Sequence, residues 1–172
     1  METWARAIGT IAIAAAIACG NEQPPAGGGT AGEAEPPPPQ PESTAEEEVD
    51  PGDAIAVEMQ TRAQQFAEGM SPATPLFRGT LATGATQDYQ AVLQGGRCFK
   101  VVGVGGPGVT DLDLFLFDPN GVQVLQDTAS DSYPVLGLTH PICPDTAGAY
   151  RVQVKMFAGT GEFGVRVYQT GS

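Results

Sequence analysis

The chain has 172 residues, with 20 Asp and Glu against 8 Lys and Arg, and a formal net charge of −12. Beyond an N-terminal stretch of unusual composition, about 120 residues remain, enough for one ordinary domain around one core. Phosphate backbones call for a basic footprint, which this chain lacks, so no nucleic-acid partner is expected.

Residues 1–18 have the anatomy of a secretory signal. Arg6 precedes a run of almost nothing but Ala, Ile and Gly over 7–18, and Ala16, Ile17 and Ala18 lead directly into Cys19. The run is short of the roughly 20 apolar residues that a helix needs to cross ~30 Å of hydrocarbon, so export rather than a membrane span is predicted. A cysteine immediately after the cut would be an exposed free thiol unless modified. Lipidation of Cys19, with palmitate among the acyl groups, is therefore expected to anchor the chain in the membrane. The lipobox is atypical, with Ala16 and Ile17 at its first two positions, and the same Ala-x-Ala triplet also serves ordinary signal peptidase. The location is then the cell envelope, with the outer membrane the default because Gly20 is not an acid. The alternative is a soluble secreted or periplasmic protein.

Residues 20–49 are dominated by Pro, Gly, Glu, Ala and Thr, and residues 20–53 carry nine acids and no base. Such a segment cannot bury enough apolar surface to offset its ordering entropy, so a disordered acidic linker is expected over 19–50. Most of the net charge belongs to it, since residues 71–172 hold eight acids against six bases.

Residues 51–70 read as an amphipathic helix. Asp50 would cap it, Pro51 suits its first position, and Asp53 complements the positive helix start. Ile55, Met59, Ala63, Phe66 and Met70 form one apolar stripe, and Gly69 and Pro72 end the element.

From Pro75 onward the period changes from 3.6 to 2. β-rich runs at 75–81, 88–93, 97–104, 111–117, 122–127, 133–138, 149–157 and 162–168 alternate with Gly, Pro, Asn and Asp turn signals. The expected fold over 75–172 is all-β, a jelly-roll or Greek-key sandwich of about eight strands. The last two runs read as a hairpin turning at 158–161, with Tyr150, Val152, Val154 and Met156 sharing a face with Phe163, Val165 and Val167. Residues 103–108 read as a flexible glycine-rich loop. No helix start follows them, so they do not form a phosphate cradle. Cys98 and Cys143 are an even pair in an exported domain and read as a disulfide, the alternative being two buried thiols.

The most distinctive segment is Asp111-Leu112-Asp113-Leu114-Phe115-Leu116-Phe117-Asp118-Pro119-Asn120-Gly121. It is a strand whose leucines face the core, followed by a tight turn in which Pro119 and Gly121 supply the backbone angles. With Ala147-Gly148-Ala149-Tyr150-Arg151-Val152-Gln153-Val154 and the stretch from Gly161 to Tyr168, this resembles the bacterial pre-peptidase C-terminal domain family over about residues 76–168. The resemblance implies a non-catalytic jelly-roll module, calcium-binding or substrate-binding in some members.

Asp111 and Asp113 project from one face of a strand, ~6.6 Å apart at the backbone, an unfavourable pair unless solvated or neutralised. Calcium could neutralise them, with oxygens added from Asp127, Ser130 and Asp131. Otherwise Arg or Lys on neighbouring strands, or water, does so. Phe115 and Phe117 share that face as a candidate binding platform, unless the 51–70 helix covers them with Phe66 and Met70. Arg151, Lys155, Arg166 and Tyr168 form an outer face, solvated or able to meet an acidic ligand. The single His140 has neither a second histidine nor a nucleophile elbow beside it, and no catalytic site is expected. Two functions follow from these readings. One is a recognition module for envelope protein or glycan, with calcium as a candidate aid. The other is a structural accessory of an envelope assembly.

Overall fold

The computed structural model describes residues 49–171. The expected signal segment, Cys19 and all but the last two residues of the linker expected over 19–50 lie outside the described residues. One helix precedes eight strands: α1 (Ala54–Phe66), β1 (Met70–Pro72), β2 (Phe77–Ala82), β3 (Thr86–Leu93), β4 (Phe99–Gly105), β5 (Val109–Phe117), β6 (Gln123–Asp127), β7 (Val135–Leu136) and β8 (Gly148–Thr170). All strand pairings are antiparallel. The all-β sandwich expected from the alternation is what this part of the chain forms.

The first six β-rich runs become β2 to β7, each shifted by a few residues at most. The last two are not a hairpin. Residues 148–170 form one strand of 23 residues. Its first part pairs with β3 and β5, and its second with β1, β2 and β4. The strand thus crosses from one sheet (B: β3, β8, β5, β6) to the other (A: β1 and β2, β8, β4, β7). Gly159 makes the crossing with φ 95°, in a position where a Cβ would run into the Gly108 carbonyl. Only glycine combines that backbone with that clearance. The hairpin expectation failed because both arrangements turn the same residues inward: Val152, Val154, Met156, Phe163, Val165 and Val167 are all fully buried.

The space between the sheets is filled from both sides, by Leu112, Leu114 and Leu116 of β5 against Phe99, Val101, Phe163 and Val165 of sheet A. Each such side chain contributes about 1.5–3 kcal/mol relative to exposure. β5 slips register on either side of Asp111, so Val109 and Leu112 both enter the core although they stand an odd three positions apart. Half of the expected flexible loop at 103–108 is strand: residues 103–105 end β4, and 106–108 turn into β5. Gly103 lies in β4, where a Cβ would meet Pro134 Cγ at 2.9 Å, so it is there for close packing rather than mobility.

The helix is shorter than expected. Asp53, not Asp50, is its N-cap and accepts from the Ala56 N–H at 3.0 Å. Asp50 closes the preceding turn instead, accepting from the Gly52 N–H at 2.8 Å. At the other end Lys100 donates to the Phe66 carbonyl at 2.7 Å, a cation at the negative helix terminus. Met70 has left the helix for β1, where it pairs with Thr170.

α1 lies on the outer face of sheet A. Ile55 and Met59 pack with Val102, Val104 and Tyr168 in a second apolar cluster. Gly164 of β8 lets the helix come close, since a Cβ there would stand 2.6 Å from Ile55 Cγ2. Arg62 stacks on the Tyr133 ring at 3.6 Å and pairs with Glu58 at 2.7 Å, tying the helix to the segment before β7. Arg78 of β2 pairs with both carboxylate oxygens of Asp53. The predicted disulfide joins Cys98 to Cys143, beside the bridge between Phe99 and Ile142.

Candidate functional site

Sheet A is closed by its own helix, whereas the outer face of sheet B has no such cover among the described residues. Cross-strand register sets what stands there. Asp113 is opposite Lys155, Phe115 opposite Gln153, and Phe117 opposite Arg151 on the β5–β8 side. Asp88 is opposite Gln153 on the β3–β8 side. The residues of β8 that face outward are therefore Arg151, Gln153, Lys155 and Phe157, two apart.

One end of this face is tied down. Arg151 lies over the Phe117 ring at 3.7 Å and reaches Asp88 at 3.1 Å. Gln153 donates to the same Asp88 oxygen at 2.9 Å. Guanidinium, ring and carboxylate hold one another in place.

The other end is a depression of about 290 Å³ lined by Asp111, Asp113, Phe115, Thr128, Ser130, Lys155 and Phe157. Asp111 is 8% exposed and Asp113 3% exposed. The bulge at Asp111 keeps its carboxylate on this face while the leucine after it turns inward. Its Oδ1 is buried and has no hydrogen-bond partner among the described residues. Asp113 has one cation, Lys155, at 3.9 Å. Burial pushes the Asp113 carboxyl above the usual carboxylate range, and the charge of Asp111 adds to it, while Lys155 opposes. Phe157 stands 55% exposed at the rim, with the Lys155 ammonium 5.1 Å from its ring centre.

The sequence-derived residues divide accordingly. Asp111 and Asp113 share the depression, as the alternation implied. Asp127 instead accepts from the Ala129 N–H at 3.1 Å and the Val135 N–H at 2.8 Å. Asp131 accepts from the Tyr133 N–H at 2.7 Å. Both carboxylates serve the loop backbone, and among the described residues no three acidic, His or Cys side chains are grouped to hold a metal ion. Phe115 and Phe117 are half-buried on the open face, and the helix expected to cover them lies on the other sheet. The proposed outer face of Arg151, Lys155, Arg166 and Tyr168 is split between the two sheets: Arg166 and Tyr168 are buried on sheet A. Ser132 donates to the Val109 carbonyl at 3.0 Å, and His140 is exposed.

Sequence reading missed Phe157 and Asp88. The parity of Arg151, Gln153 and Lys155 points to Phe157 as an outward aromatic, but the supposed turn at 158–161 hid it.

A second concavity, of about 720 Å³, runs between α1 and sheet A, with Ala56, Ala63, Leu76, Arg78, Arg166 and Tyr168 among its lining. Its charged groups include the Asp53–Arg78 pair that holds the helix start.

Among the described residues no helix is long and apolar enough to cross a membrane. No model of a known protein family matches the chain.

Proposed function

We propose that this protein is a non-catalytic recognition module of the cell envelope, held at the outer membrane by a lipid on Cys19 and presenting the open face of sheet B to an envelope protein or glycan. One observation carries the reading: the sandwich covers one outer face with its own helix and leaves on the other an exposed aromatic, Phe157, beside two buried carboxylates. A solvated sheet face needs neither feature for stability, since exposed aromatics and buried acids both cost free energy. The likeness to pre-peptidase C-terminal modules is in keeping with it. The alternative, a structural accessory, would need an apolar surface on the helix, and Ile55 and Met59 of its stripe are buried against sheet A.

The test is site-specific photo-crosslinking in intact cells, with the reactive side chain at position 157 and, as control, at Val57 on the exposed side of α1 (39% exposed). A discrete adduct from 157 and none from 57 is expected. Equal labelling from both positions, or none from 157, would refute the reading. Labelled palmitate and the intact mass of the N-terminal peptide test the anchor, and an unmodified Cys19 would defeat it.

A further inference from the structure

We propose that the depression over Asp111 and Asp113 receives an organic cation, the ammonium or guanidinium of a lysine or arginine on a protein partner. This rests on the reading of sheet B as a recognition face, and narrows it to a ligand class.

Charge balance is the starting point. Two carboxylates, 8% and 3% exposed, share the floor, and one ammonium stands 3.9 Å from one of them. Lys155 has a side chain 35% exposed, so it shields Asp113 loosely. Asp111 Oδ1 is left without a hydrogen bond. A buried acceptor with no donor costs about 1–3 kcal/mol, and more when it is charged. The free protein is thus one donor short in the floor of the depression.

The walls select the kind of cation. Calcium asks for six to eight oxygens, but Asp127 and Asp131 are turned to backbone N–H groups. Phe115 and Phe157 form part of the lining instead. Aromatic faces attract ammonium and guanidinium groups and contribute no oxygen ligand. Thr128 and Ser130 add hydroxyls that can accept from the remaining N–H groups. The volume of about 290 Å³ suits one long side chain rather than a folded ligand. Lys155 itself, near Asp113 and the Phe157 ring, is a resident stand-in for the ligand. An incoming cation displaces it.

The probe is n-butylammonium chloride, titrated against the full-length chain with the ring resonances of Phe115 and Phe157 observed by NMR. 1-Butanol is the neutral control and calcium chloride the metal arm. Saturable shifts are expected with n-butylammonium and not with 1-butanol. Asp113→Asn is expected to weaken binding about tenfold, because the carboxylate charge is lost at constant shape. Lys155→Met is expected to tighten it several-fold by removing the competing ammonium. Asp111→Asn serves as a second probe of the floor if Asp113→Asn does not fold. Equal response to 1-butanol, unchanged affinity in a folded Asn variant, or weaker binding in Lys155→Met would overturn the proposal. So would calcium shifting the same resonances at lower concentration than the amine. A crosslink at position 157 without amine binding removes the cation assignment alone. Amine binding without a crosslink would remove the recognition reading instead.

Discussion

Gly164→Ala should loosen the helix that closes sheet A. An added Cβ would stand 2.6 Å from Ile55 Cγ2, 3.1 Å from Leu76 Cδ1 and 3.3 Å from Val104 Cγ2. Carbon atoms prefer ~3.5–4.0 Å, so the overlap with Ile55 alone is about 1 Å. Ile55 is 3% exposed and lies in the first turn of α1, where a β-branched side chain has essentially one χ1 rotamer. It cannot turn aside, so the helix must lift or the strand must bend. Overpacking of this kind costs about 1–3 kcal/mol. Ile55→Ala alone empties a buried site and costs about 2–5 kcal/mol. In the double variant the new methyl occupies part of the vacated space, so the combined loss should fall short of additivity by about 1–2 kcal/mol. Urea unfolding followed by circular dichroism measures all four corners of the cycle. An unchanged midpoint in Gly164→Ala, or strict additivity in the double variant, would refute the claim that glycine is there to admit the helix.

Further outcomes follow from the charges and the disulfide. Because burial raises the Asp113 pKa, the folded state holds that proton to higher pH than the unfolded chain does. Stability therefore falls as pH rises from ~3.9 through the raised value, and stays lower above it. Asp113→Asn should gain stability over wild type as pH goes from 4 to 7, and a difference constant across that range would contradict this. Asp53, held down by Arg78, and Asp118, held down by the Val122 N–H, act in the opposite sense. Their contributions are complete above ~3.9 and disappear as pH falls below it. Replacing both Cys98 and Cys143 by Ala opens a loop of sequence separation 45. By the chain-entropy model this costs about 4 kcal/mol, a drop in Tm on the order of 15 °C. A drop of only a few degrees would show that the bridge adds little to the pairing of Phe99 with Ile142.

Much of the sandwich was legible because period-2 alternation records burial directly. Leu112, Leu114, Leu116, Val152 and Val154 announced one wall of the core, and Phe163, Val165 and Val167 the other. What alternation cannot record is which strands pair. A hairpin and a strand that changes sheets both keep the same side chains inward, so residues 148–170 were open to either reading. The same ambiguity misplaced the helix: the stripe from Ile55 to Phe66 needs an apolar partner face, and sequence offered two. Val102 and Val104 were the right partners, hidden because β4 is apolar on both faces. The acidic pair was visible from its spacing, but its burial was not, since the bulge at Asp111 breaks the count that parity relies on. Carboxylates at a strand end or in a loop, such as Asp127 and Asp131, are hard to assign at all. Capping a backbone N–H and ligating an ion require the same residue type in the same kind of turn.

β8 also sets when this domain can come into being. Five of the other seven strands pair directly with it, and the remaining two, β6 and β7, reach it through β5 and β4. Until Gly148–Thr170 has been synthesised, earlier strands have only local partners, and neither layer can be completed. A chain emerging from a ribosome stays open to passage through a narrow conduit for as long as its keystone strand is missing. Such a delay would suit the export on which the proposed function depends.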